Sequence, residues 1–172
     1  PAYELSGRIQ TGLELERTSA GEGQVKSDSR EPFFLDSGRL ELDVELNDSL
    51  SAAFGAELTD KPVVRDAFVN VKLYKALQVR AGHFKRPISR TELTGIGRLP
   101  FRDRGLGNQI LHDADWAGRT LGVMLWGKFK RPKLQWSAAV MNASQTIDVS
   151  RVEEIRGADL LARVEYEPVD WL

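Results

Sequence analysis

The fold of this chain follows from the stretch Val64-Arg-Asp-Ala-Phe-Val-Asn-Val-Lys-Leu-Tyr-Lys75 and its continuation Leu77-Gln-Val-Arg-Ala-Gly-His-Phe84. Apolar and polar residues alternate in both segments, and a very tight turn separates them. Successive side chains of a β-strand point to opposite faces, so this period of two predicts a hairpin with one apolar and one polar face. Residues 119–127 and 134–141 predict a second hairpin of the same kind.

The rest of the chain carries the same alternation. It occurs in residues 3–16, 38–46, 50–58 and 160–167. Residues 17–36 and 142–158 are polar, and their composition predicts loops. Together these segments give about eight strands, each antiparallel to its neighbour. The sequence therefore predicts an all-β fold, an antiparallel up-and-down sheet in one domain over residues 1–172.

The two hairpins are separated by a long connection, residues 85–118, that shows no strand period. Loops longer than about 12–15 residues are uncommon in compact domains and are often functional. Along the chain, short turns such as Tyr74–Ala76 alternate with longer connections. Outer-membrane barrels have this arrangement, with short periplasmic turns and long extracellular loops.

Alternation alone does not say which face meets water. A soluble sandwich or lipocalin-like barrel buries its apolar face, whereas an outer-membrane barrel turns that face toward lipid. Successive charges on one polar face, at Glu41, Asp43 and Glu45, favour the membrane barrel. So do aromatic residues near the predicted strand ends, where interfacial girdles lie. These aromatics are Tyr3, Tyr74, Trp116, Trp126, Trp136, Tyr166 and Trp171.

Composition narrows the classes of partner and site. Lys and Arg total 24 against 25 for Asp and Glu, so the net charge is −1 and indicates no particular partner. We predict no nucleic-acid partner. Cysteine is absent, which excludes disulfides and thiolate metal sites in this sequence. No apolar run reaches the roughly 20 residues that a membrane helix needs. The chain begins at Pro1 without a leader, which indicates either a removed leader or a longer parent chain.

The central stretch resembles the phosphate-selective porin (O and P type) family. In that family a strand ends in Gly-x-Phe-Lys-x-Pro-Phe/Ile-Ser and leads into the loop that folds into the pore. Here the pattern reads Gly82-His-Phe-Lys-Arg-Pro-Ile-Ser89, preceded by Asp66–Tyr74. Arg8-Ile-Gln10 and Arg119-Thr-Leu-Gly122 also fit.

The resemblance implies a 16-stranded antiparallel barrel that passes small solutes or anions, with phosphate among the candidates, across a bacterial outer membrane. The chain would then be the N-terminal half of a larger barrel, because an open eight-stranded sheet leaves two costly unpaired edges in lipid. The implied partners are outer-membrane lipid, small anions or solutes, and either a homotrimer or an envelope-protein assembly.

Five cations are predicted to line the pore or to contact anions. Lys72 and Arg80 lie on the polar faces of predicted strands. Arg90, Arg98 and Arg102 lie in the long connection. Guanidinium groups in a narrow lumen attract anions by fixed charge and forked hydrogen bonds. The alternatives are a solvated extracellular loop for the connection and cross-strand pairing with acidic neighbours for the strand cations.

No catalytic, cofactor or metal site is predicted. His83 and His112 have no spacing that pairs them with a carboxylate as a metal site, and Ser89 and Ser137 lack a recognisable base. We therefore predict no enzyme and no cofactor. Two alternatives to a channel are a pore-less structural barrel subunit of an envelope assembly and a soluble eight-stranded ligand-binding barrel.

Overall fold

The described residues form one eight-stranded sheet. The computed structural model describes residues 1–13, 33–59, 62–95, 98–99, 104–143 and 157–167. The strands are β1 (Ala2–Leu13), β2 (Phe33–Asn47), β3 (Leu50–Glu57), β4 (Val63–Tyr74), β5 (Leu77–Lys85), β6 (Arg119–Phe129), β7 (Lys133–Asn142) and β8 (Ala158–Glu167). Each pairs antiparallel with its chain neighbour, in the order β1 to β8. The predicted all-β, antiparallel up-and-down fold is confirmed.

The two ends of the sheet differ in their connections. Residues 48–49, 75–76 and 130–132 are short turns that join β2 to β3, β4 to β5 and β6 to β7. The remaining connections lie at the opposite end, and the one from β5 to β6 is the longest. We call these the short-turn end and the long-loop end. The predicted alternation of short turns and long connections is present.

The cross-strand register divides the sheet into an apolar face and a polar face. The apolar face includes Leu5, Leu42, Val69, Val79, Val123, Val140 and Leu160, and the polar face includes Glu4, Glu41, Asn70, Arg80, Met124, Ser137 and Leu161. On the apolar face, Val69, Val123 and Leu160 are 45%, 49% and 82% exposed, whereas Asn70 and Met124 on the polar face are 8% and 7% exposed. A soluble sheet buries its apolar face, so this pattern gives no support to a soluble barrel and fits lipid contact.

The buried apolar cluster lies on the polar face. Phe84, Met124, Ala139 and Met141 form it, and Phe68, Trp126 and Leu161 pack against it. The prediction of Trp126 as an interfacial girdle residue is wrong, because the register pairs it with Gln78 and Ser137. Its indole Nε1 donates to Asn70 Oδ1 at 2.9 Å. Trp171 lies outside the described residues.

The start of β2 and the content of the long connection differ from the prediction. The strand β2 begins at Phe33, within the predicted loop 17–36, because Leu13 pairs with Phe33 after a register shift between Gln10 and Thr11. In its described residues, the long connection contains two α-helices that its lack of strand period did not predict. They are α1 (Arg90–Leu93) and α2 (Leu106–Asp113). Among the described residues, no helix is long and apolar enough to span a membrane.

Candidate pore-lining site

The connection from β5 to β6 is fixed to the polar face at its start by Arg86. This side chain is 1% exposed. Its Nη1 donates to Asp159 Oδ2 at 2.7 Å, and its Nη2 donates to the carbonyls of Asn142 at 2.6 Å and Ala143 at 3.2 Å. A buried guanidinium needs such partners, because a buried charge left unpaired costs several kcal/mol. Arg86 therefore ties the connection to the long-loop end of β7 and β8.

Arg90 contacts β8 much nearer the short-turn end. Its Nη1 lies 3.4 Å from Glu165 Oε1 and 3.8 Å from Glu167 Oε1. At about 3.3 Å per residue, Glu165 lies roughly 20 Å along the strand from Asp159. Between Arg86 and Arg90 the connection therefore runs along the polar face toward the short-turn end. The Arg90 pairs are exposed, so each adds little stability.

Glu92 joins the two helices of the connection. Its carboxylate Oε2 accepts from Arg104 Nη1 at 2.9 Å and Asn108 Nδ2 at 3.1 Å, and lies 3.2 Å from His112 Nε2. The Glu92 side chain is 2% exposed. Its backbone N–H donates to the Ser89 hydroxyl at 3.0 Å, which caps α1.

The surroundings of Glu92 favour the ionised carboxylate. Burial alone raises the pKa of the Glu92 carboxyl. The hydrogen bond from Asn108, the charges of Lys85 and Arg104 and the His112 contact lower this pKa by more than burial raises it, so the net pKa is below its ordinary value. The Lys85 ammonium also donates to the Glu92 backbone carbonyl. Glu92 is therefore a charged anchor that holds α1, α2 and the end of β5 together.

Three cavities lie on the polar face around the connection. The long-loop cavity, about 610 Å³, is lined by the cations Arg8, Arg39, Arg65, Lys85, Arg104 and Arg119 and by one carboxylate, Glu57. The central cavity, about 410 Å³, is lined by Arg39, Arg80, Lys85, Arg119, Lys128 and Arg163 and by Glu41 and Asp66. The short-turn cavity, about 470 Å³, is lined by Arg90, Arg98, Lys128, Lys133 and Arg163 and by Glu165 and Glu167. Among the described residues that line each cavity, cations outnumber carboxylates.

Neighbouring cavities share cationic walls. Arg39, Lys85 and Arg119 line both the long-loop and the central cavity. Lys128 and Arg163 line both the central and the short-turn cavity. The cavities thus follow one another along the polar face, and each junction has basic side chains.

Part of this positive charge is neutralised by nearby carboxylates. Asp66 pairs with Arg119 through two bonds of 3.0 and 2.9 Å. Glu57 accepts from Ser37 Oγ at 2.7 Å and lies 3.5 Å from Arg65 Nη2. These pairs hold the guanidinium groups in fixed positions at the walls of the long-loop and central cavities.

Arg80 is held by aromatic rings. Its guanidinium carbon lies 4.1 Å from the ring centroid of Phe68, 5.4 Å from that of Trp126 and 5.7 Å from that of Phe84. Cation–π contacts of this kind stabilise a cation while leaving its charge uncompensated. Its Nε is buried with no hydrogen-bond partner among the described residues. The structure thus presents Arg80 as a fixed cation in the wall of the central cavity.

The other sequence-predicted candidates fall at different places. Arg90 and Arg98 line the short-turn cavity. Lys72 is exposed on the polar face of β4, near the short-turn end, and is not among the residues that line the three cavities. Arg102 lies outside the described residues. The assignment of these five residues to a pore remains a prediction.

Sequence reasoning did not select several cavity cations. Arg39, Lys128 and Arg163 all have the polar-face parity of their strands, so the period of two could have identified them. Arg104 has no strand parity that could identify it, because it lies in the connection, where it contacts Glu92 and the Thr94 carbonyl and lines the long-loop cavity.

The comparison with protein families agrees with this geometry. A family model, phosphate-selective porin O and P, matches residues 26–163 of the 172-residue chain. The chain belongs to this family. No curated protein matches it. Membership identifies an outer-membrane, porin-like channel rather than an enzyme, and it agrees with an apolar face toward lipid and a polar face toward water.

Proposed function

We propose that this porin-family chain lines an anion-preferring channel, and that anions pass along the three cavities of the polar face. The observation that supports this most directly is the set of basic residues shared at both junctions. Of the described residues that line each cavity, fewer are carboxylates than cations. An anion leaving one cavity would therefore meet cations that also belong to the next.

Fixed charges of this kind select ions without binding them tightly. Clefts with low-dielectric walls focus the field of the charges that line them, which raises the local concentration of counter-ions. A conducting path needs several sites of moderate attraction, because a single strong site would trap the ion. The successive basic junctions have this arrangement.

Phosphate is a candidate solute for this path. The family description names it, and guanidinium groups suit phosphate oxygens because their donors form a planar fork. Arg39, Arg119 and Arg163 are the junction residues that carry such a fork. Chloride and other small anions would pass by charge alone.

We also propose that the eight strands form half of a 16-stranded barrel, in a homotrimer or an envelope-protein assembly. Within the described residues, β1 and β8 are the edges of the sheet, and each pairs on one side. Unpaired strand edges are costly in lipid, so further strands of the same or another chain would have to close the wall.

The charge test uses the native outer-membrane protein in planar bilayers with a KCl gradient across them. The double variant Lys128→Gln, Arg163→Gln removes both cations from the second junction, which joins the central and the short-turn cavity. At about 4 Å in water each lost cation weakens the attraction for an anion by about 1 kcal/mol, which is roughly fivefold. The reversal potential should therefore shift toward that of a non-selective pore.

The matched control is Lys75→Gln, which removes an exposed cation from the turn at residues 75–76, away from the cavities. It should leave the reversal potential unchanged. If the double variant also keeps the wild-type reversal potential, the second junction is not part of the conduction path and the proposal is wrong.

A further inference from the structure

Among the described residues, Gly95 is the one that lines all three cavities. It follows α1 in the connection, and it lines the long-loop cavity, the central cavity and the short-turn cavity. We propose that Gly95 sets the size limit of the channel: the missing side chain keeps open the space through which a small anion moves from one cavity to the next. This inference rests on the proposed conduction path along the polar face.

The local backbone does not require a glycine at this position. The φ angle of Gly95 lies outside the left-handed region that favours glycine. Gly82, Gly105 and Gly118 do have positive φ angles, of 134°, 78° and 99°. Conformational freedom therefore explains the glycine at those three positions and not at residue 95.

Packing does not require a glycine there either. A Cβ added to Gly95 would meet no described atom within 4 Å, so a side chain would extend into open space. At Gly122, by contrast, a Cβ would lie 2.6 Å from the Val140 carbonyl oxygen. Gly95 also lines the three cavities, so on this proposal the open space beside it is part of them, and a side chain would narrow the passage without displacing described atoms.

The backbone beside Gly95 is held in place, so an added side chain would project from a defined point. The Thr94 N–H and hydroxyl donate to the Arg90 carbonyl at 2.9 and 2.8 Å. The Thr94 carbonyl accepts from Arg104 Nη2 at 3.0 Å. On the other side, the Arg98 N–H donates to the Gly95 carbonyl at 2.9 Å.

The test is a size series, Gly95→Ala, Gly95→Leu and Gly95→Trp, in the native outer-membrane protein reconstituted in planar bilayers. With KCl as electrolyte, single-channel conductance should fall stepwise with side-chain size, least for Ala and most for Trp. The chloride-to-potassium permeability ratio should stay at its wild-type value, because no charge changes. With phosphate as the anion, the losses should be larger, because phosphate is bigger than chloride.

Gly107→Leu is the matched control. Gly107 lies in the same connection and is exposed, and a Cβ there also meets no described atom within 4 Å. It is not among the residues that line the three cavities. Its variant should keep wild-type conductance.

A cysteine variant tests the inference without a bulky substitution during folding. Because the sequence contains no cysteine, Gly95→Cys introduces a thiol that small and large thiol reagents can modify in an already open channel. Current should drop on modification, more for the larger reagent, whereas Gly107→Cys should show no drop.

The outcomes separate this inference from the proposed function. Flat conductance across the Gly95 series, with wild-type anion preference intact, overturns the size limit alone. Falling conductance in a channel without anion preference supports the size limit and overturns the charge proposal. A wild-type protein that conducts no ions overturns both.

Discussion

Gly127 is a single residue on which the packing of a whole turn depends. A Cβ at this position would lie 1.9 Å from the Ala76 carbonyl oxygen, in the turn between β4 and β5. That oxygen accepts from Trp136 Nε1 at 3.1 Å. The Lys128 N–H also donates to the Lys75 carbonyl at 3.1 Å. The bare backbone of Gly127 thus lets the turn rest directly on β6.

Gly127→Ala should therefore destabilise the fold. The added methyl group would meet backbone atoms rather than a flexible side chain, so the turn would have to move, at a cost of about 1–3 kcal/mol. The measurement is the midpoint of urea unfolding in lipid vesicles, followed by tryptophan fluorescence. The control is Gly55→Ala, where the nearest described atoms are 3.7 Å from the new Cβ. Equal midpoints for the two variants would contradict the close approach of the turn.

At the scale of elements, the attachment of the long connection should depend on pH through Glu92. Its pKa is below the ordinary value, so the ionised form stabilises the attached connection. This contribution is complete above the ordinary glutamate pKa of about 4.3. It is lost as the pH falls through the lower pKa of the folded state. The connection should therefore loosen at acid pH and stay attached at neutral pH.

Hydrogen exchange of the α1 and α2 amides measures this attachment. In the wild-type protein, protection should fall as the pH drops below the ordinary glutamate range, after correction for intrinsic exchange. Glu92→Gln should show weak protection already at neutral pH, because breaking one side of a buried ion pair costs about 3 kcal/mol or more. Asp113→Asn, an exposed change in α2, should behave as wild type. Wild-type protection in Glu92→Gln at neutral pH would rule out the anchor.

The strands could be predicted from the sequence and the helices of the connection could not. Alternation is local, so each strand carries its own signal. In α2, by contrast, Leu106 and Ile110 are 72% and 57% exposed, while Asn108 and His112 contact the buried Glu92. A helix with its polar side inward does not show the usual pattern of a buried apolar stripe.

Because alternation is a local signal, part of the candidate site could also be predicted from the sequence. The parity of β5 was enough to put Arg80 on the polar face. The attachment of the connection depends on contacts that are distant in the chain: Arg86 and Asp159 are 73 residues apart. No local pattern pairs them, so the path of the connection along the sheet, and with it the cavities, had to come from the structure.

At the scale of the whole molecule, the sheet is inverted relative to a soluble protein. Its large apolar side chains are exposed on one face, and its buried cluster lies on the other, beneath the connection. In a membrane wall this arrangement is stable because lipid covers the apolar face and water fills the space on the polar face. The two faces should therefore respond oppositely to the same added charge.

Val123→Arg tests this difference at the centre of β6, on the apolar face. An arginine that faces lipid near the bilayer midplane costs about 2–4 kcal/mol, so the variant should fold into lipid vesicles with a lower urea midpoint than wild type. Gln135→Arg adds the same side chain on the polar face, where it lines two cavities. Because that face meets water, this variant should keep a midpoint close to wild type. If Gln135→Arg is the more destabilising of the two, the faces are assigned the wrong way round, and the cavities cannot belong to a water-filled pore.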